Sequence, residues 1–220
     1  MGVLWEMWNE PNIFFWQPKP NVQDYMALAT EVGKTIRQHA PDEWYVGPAT
    51  SGFDWTFLES CFKAGALRYW DAVTVHPYRG SAPETVGADW HRLERLVARY
   101  APKGKQVPVL SGEWGYSELY QGLSKELQAQ YIVRQYLVNL QHGVGLSIWY
   151  DWKNDGTNPK EVEHFFGTVD HELNPKPAYL AVQSAVAALR HQRFVASFRV
   201  GPTENRALLF RGKNQATLAV

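Results

Sequence analysis

Trp5-Glu6-Met7-Trp8-Asn9-Glu10-Pro11-Asn12 decides the fold of this chain. Residues 3–8 are apolar apart from Glu6, the composition of a parallel strand covered on both faces. Pro11 carries no backbone N–H and pushes the residue before it towards an extended conformation. The strand is therefore expected to stop at Asn9-Glu10, with Glu10 at its carboxyl end. In α/β proteins that end is where ligands bind.

Working outward, a second carboxylate arrives in the same manner. Residues 107–111 form a short apolar strand that runs into Gly112-Glu113-Trp114-Gly115. Gly112 and Gly115 are expected to allow a sharp turn and the close approach of a ligand. Two strand-end glutamates beside aromatic residues suit glycoside hydrolysis. One donates a proton and the other acts as nucleophile or base.

Between and beyond these strands the pattern alternates. Strands are expected at 44–48, at 71–75 running into His76-Pro77-Tyr78, and at 146–150. Helices are expected at 23–39, 55–64, 89–100, 125–142 and 177–189. Tyr25, Leu28, Ala29, Val32 and Ile36 give the first helix a core-facing stripe. Asp54 and Ser124 are placed to cap the second and fourth, and Pro177 to open the last. Strand–helix repeated five times argues for a parallel sheet with right-handed crossovers. At roughly 38 residues per unit, eight units would need about 300, within the range of (β/α)8 barrels. After residue 192 the pattern changes to short strand-like runs at 194–200, 207–210 and 216–220. Turns at Gly201-Pro202 and Gly212-Lys213-Asn214 separate them. The expected organisation is a partial TIM-barrel domain over 1–192 and a β tail over 193–220, like the start of a β-sandwich.

Composition narrows the partners. Lys plus Arg and Asp plus Glu number 22 each, which argues against nucleic acid or an acidic membrane surface. No apolar run approaches transmembrane length, and no signal peptide precedes the first strand. The compartment is not fixed by this: cytoplasmic is the expectation for the chain as it stands, and secreted if an amino-terminal region is missing. Ten Trp, eleven Tyr and ten Phe suit both an aromatic core and a cleft that stacks sugar rings. Cys61, the single cysteine, lies in an apolar helical run and is expected to be a buried thiol.

Four motifs in order carry a resemblance. Trp8-Asn9-Glu10-Pro11-Asn12, His76-Pro77-Tyr78, Ser111-Gly112-Glu113-Trp114 and Ile148-Trp149-Tyr150-Asp151-Trp152 resemble the fourth, sixth, seventh and eighth strand ends of clan A glycosidases. These are retaining enzymes built on the (β/α)8 barrel, and they include cellulase-like families and the family 39 β-xylosidases. Phe166-Gly167-Thr168-Val169-Asp170 and Asn174-Pro175-Lys176-Pro177 resemble the loop before the last barrel helix. The likeness spans about residues 3–189 and implies a barrel that lacks strands one to three.

It further implies a retaining β-glycoside hydrolase acting on plant-type glucosides, glucans, xylosides or xylan. Glu10 would be the acid/base, Glu113 the nucleophile, and Asn9 the contact to the sugar 2-hydroxyl. His76 and Tyr78 would flank Glu113, and Trp149 would lie under the cleaved sugar. Trp16, Trp114 and Trp152 would extend the cleft. No cofactor or metal is implied. Clan enzymes take an arginine from the second strand, and nothing here matches it.

Two other readings compete. One is a remnant that binds saccharide without turnover. The other is a metal-dependent hydrolase using Glu10, His76 and Glu113, weakened by the lack of a His-x-His pair. Whichever reading holds, without strands one to three the first and last strands would be open, apolar sheet edges, so a homo-oligomer that covers them is expected.

Overall fold

The computed structural model describes residues 2–201 and 205–220. They group into two compact units. The first comprises Met1–Arg79, Val86–Trp114 and Val144–Ile148. The second comprises Gly80–Thr85, Gly115–Gly143 and Trp149–Val220.

The five expected barrel strands form one sheet: β1 (Leu4–Glu6), β2 (Trp44–Ser51), β3 (Ala72–His76), β4 (Val109–Trp114) and β5 (Ser147–Trp149). They lie side by side in chain order, and the pairs from β1 to β4 are parallel. This is the arrangement of a partial (β/α)8 barrel. β2 is buried from Tyr45 to Thr50 and β3 throughout, which is why their sequences run apolar without alternation. Val46, Ala72 and Leu110 pack as one core cluster, with Leu146 against it.

The helices are α1 (Val22–His39), α2 (Trp55–Lys63), α3 (Gly87–Tyr100), α4 (Lys125–Gln141) and α5 (Pro177–Leu189). Their starts are set locally. Asp54 accepts from the Phe57 amide at 3.0 Å and Ser124 from Leu127 at 3.2 Å, satisfying amides that have no partner within the helix. Asn21 does the same for α1. The buried face of α1 differs from the expected stripe. Tyr25, Met26, Ala29 and Gly33 are buried, whereas Leu28 is exposed. Gly33 explains the rotation, because a Cβ there would lie 2.8 Å from Tyr69, so the helix approaches its neighbour through a residue that hydrophobic patterning does not count.

The second unit holds α4, α5 and an antiparallel sheet of β6 (Arg193–Arg199), β7 (Arg206–Arg211) and β8 (Ala216–Ala219). The three expected tail strands are all present. In the expected Gly201-Pro202 turn, Pro202 lies outside the described residues. Lys176 is buried at the head of α5 and donates to Asn154 Oδ1 at 3.1 Å and Gly167 O at 2.5 Å, with Glu118 3.4 Å away. Cys61 is buried in α2, and burial pushes its thiol pKa up. No helix among the described residues is long and apolar enough to cross a membrane.

β1 has a paired side and an open side. It pairs with β2 through Leu4, Trp5 and Glu6, and Val3, Leu4 and Trp5 are exposed. Ile148 is exposed on β5.

Candidate active site

β1 is shorter than its sequence suggests. Regular strand ends at Glu6, and the backbone turns left-handed at Trp8 (φ 65°) and Glu10 (φ 46°). Such angles cost non-glycine residues roughly 1–3 kcal/mol and persist only when neighbours hold them. Here Met7 N donates to Val46 O at 2.9 Å and Glu10 N to Ala49 O at 3.0 Å. Asn12 straps the following loop to the end of β2 by accepting from Ser51 N and donating to Ser51 O. Glu10 is thereby delivered, buried, to the carboxyl end of the sheet.

Four predicted residues meet there. His76 ends β3 and is 1% exposed; its Nδ1 lies 3.1 Å from Glu10 Oε1 and 3.9 Å from Glu113 Oε2. The Tyr78 hydroxyl donates to Glu113 Oε1 at 2.7 Å, a short charge-assisted bond. Glu10, His76 and Glu113 each bring one ligand-type atom to within 4.8 Å of the others. Burial opposes the charged imidazole, but the Glu10 and Glu6 contacts and the Glu113 charge outweigh it and raise the His76 pKa to about 9. A ring protonated on both nitrogens has no lone pair for a metal, so a cation would have to displace that proton.

Glu6 is the participant that sequence reasoning missed. Its Oε2 lies 3.7 Å from His76 Nε2. A signal was available, since Glu6 is a lone carboxylate in an otherwise apolar strand close to Glu10. Gly112 also differs from expectation. It sits within β4, not in a turn, and a Cβ on it would meet Glu6 Oε1 at 2.3 Å. The room it leaves is for a protein carboxylate.

The other predicted contacts separate. Asn9 is exposed beside Glu10. Trp16 and Trp114 are both buried. Trp16 is 9% exposed and packs edge-on between Trp8 and Tyr25, so it supports the loop from beneath. Trp114 is fully buried, with the Arg79 guanidinium over its ring. Strand alternation turned its side chain into the core. Trp149 and Trp152 belong to the second unit, where they line a cavity of about 420 Å³ with Tyr136, Asp151 and Tyr179. Trp149 Nε1 donates to Phe166 O at 3.1 Å, and Trp152 is 61% exposed.

No protein-family model matches the sequence, and no curated protein does. Solved structures do. A family 39 glycoside hydrolase from the gut symbiont Bacteroides cellulosilyticus superposes with a TM-score of 0.82 at 26% identity, over 97% of this chain and 46% of that one. This chain is similar in fold to that enzyme over less than half of the enzyme's length. A family 39 β-xylosidase from Caulobacter crescentus follows at TM-score 0.64 and 23% identity, over 93% of this chain and 46% of its own. A glucosidase from Croceicoccus marinus matches at TM-score 0.74 and 12% identity, over 96% and 44%. The chain thus spans less than half the length of these structures.

Proposed function

We propose that this chain carries the catalytic pair of a retaining β-glycoside hydrolase acting on β-linked plant-type saccharides, glucosides and glucans or xylosides and xylan. The observation that carries the reading is the cluster in which Glu10 and Glu113 share His76 while Tyr78 holds Glu113. Oxygens of the two glutamates within 4.8 Å suit direct attack rather than an intervening water, because inverting pairs stand about 6.5–9.5 Å apart. Glu113 attacks the anomeric carbon as Glu10 gives its proton to the leaving oxygen. The products of this half are a glycosyl ester on Glu113 and the released alcohol. Glu10 then takes a proton from water, whose oxygen cleaves the ester and frees Glu113. Tyr78 orients Glu113 by occupying Oε1.

A second reading, a remnant that binds saccharide without turnover, is favoured by the chain's partial coverage of its structural neighbours. One experiment separates them: hydrolysis of a panel of aryl β-glycosides by wild type and Glu113→Gln. Turnover that vanishes in the variant supports the retaining site and names the sugar. Equal turnover in both refutes it, and turnover in neither, with saccharide binding intact, establishes the remnant.

A further inference from the structure

One carboxylate of the cluster takes no part in the double displacement. Glu6 leaves β1 and reaches β4, although two strands separate them in the sheet. Its Oε1 is buried beside Gly112 with no hydrogen-bond partner among the described residues. An oxygen so placed is costly unless an opposite charge compensates it. The compensating group is His76, whose Nε2 faces Glu6 Oε2 while Nδ1 faces Glu10 and Glu113. Nε2 stands 3.7 Å from the Glu6 carboxylate, beyond a direct hydrogen bond, and Nδ1 faces the ionised Glu113 and an accepting oxygen of Glu10, so the surroundings of the ring favour a proton on each nitrogen.

We propose that Glu6 is a positioning residue that keeps His76 cationic and aims its Nδ1–H between the two catalytic carboxylates. This rests on the glycosidase reading of Glu10 and Glu113. In the first half-reaction negative charge leaves Glu113, which becomes an ester, and appears on Glu10, which has given up its proton. The His76 Nδ1 stands 3.1 Å from Glu10 against 3.9 Å from Glu113. A fixed cation nearer the group on which charge develops favours the transition state over the ground state. In the second half the charge returns to Glu113, still beside the ring. The titratable groups around His76 are Glu6 from β1, Glu10 from the loop after it, Glu113 from β4, and Tyr78 acting through Glu113. Gly112 belongs to the same device, because any larger residue would evict the Glu6 carboxylate.

The test is Glu6→Gln, which keeps the shape and removes the charge. Nitrogen-15 NMR of labelled imidazole reads His76 protonation without requiring turnover. The His76 midpoint is expected to fall by at least about one pH unit. On the best aryl glycoside kcat is expected to fall at least about tenfold, with KM within about threefold of wild type. Glu6→Asp, which keeps the charge, recovers part of both. Gly112→Ala, which keeps the Glu6 charge but fills its seat, lowers kcat in the same way. A folded Glu6→Gln protein whose His76 midpoint stays within about 0.3 pH units of wild type overturns the proposal. Hydrolysis without a midpoint fall refutes the role of Glu6 alone. A midpoint fall in a chain that hydrolyses nothing refutes the glycosidase reading, and the catalytic role of Glu6 with it.

Discussion

Raising the pH is expected to destabilise this protein through one side chain. His76 is buried among Glu6, Glu10 and Glu113, and its pKa stands at about 9 against an ordinary 6.5. A group whose folded-state pKa is raised binds its proton more tightly when folded. Its stabilisation is fully present below about pH 6.5, where the unfolded chain is protonated too. It is lost as the pH climbs from about 6.5 to about 9, because there the unfolded chain has released the proton and the folded one has not. At about 1.36 kcal/mol for each pKa unit, the difference amounts to about 3 kcal/mol at most. For a chain of this size, Tm would then drop by roughly 6–12 °C across the window. Thermal melts by circular dichroism at pH 6, 7.5 and 9.5 measure it, with His76→Gln as control. The variant is expected to melt lower at pH 6 and to show a much flatter profile. A wild-type Tm constant over this range, or an equal fall in both proteins, would refute the argument.

Three further outcomes are expected. Tyr78→Phe removes a charge-assisted hydrogen bond worth roughly 1.5–3 kcal/mol, so kcat/KM on the preferred aryl glycoside should fall roughly 10–100-fold while the fold is unchanged. Lys176→Met leaves Glu118 buried without its cation and should cost roughly 3–5 kcal/mol in a urea titration, and pairing it with Glu118→Leu should restore much of that. The exposed apolar residues of β1 and Ile148 on β5 should drive association, seen in sedimentation velocity as species above 25.2 kDa; replacing Leu4 and Ile148 with Lys should shift the balance to monomer.

Much of this molecule was settled locally. Regular β1 ends at Glu6, before the break expected at Pro11, yet Glu10 and Glu113, the latter near the end of β4, could both be assigned to the same end of a parallel sheet before any contact was known. Asp54 and Ser124 open their helices through bonds made within one turn, and Pro177 opens the last through a φ already fixed for a helix; neither device needs anything from the rest of the chain. The change from strand–helix alternation to short strands after residue 192 marked the three-stranded sheet in the same way.

Tertiary structure decided what depends on distance through space. Glu6 looked like a blemish in an apolar strand, because its partners lie on β3 and β4 and are reached only when the sheet curls. Gly112 looked like a turn residue, because nothing local says that a carboxylate from β1 needs its missing side chain. Trp114 and Trp16 carry the aromatic surface a sugar cleft needs, yet their rings were turned into the core, and composition cannot tell an aromatic floor from an aromatic wall. Sequence shows which residues stand near the ends of the strands. Which of those side chains share a proton is set by the curvature of the sheet, a sum of many small backbone rotations that no single stretch encodes.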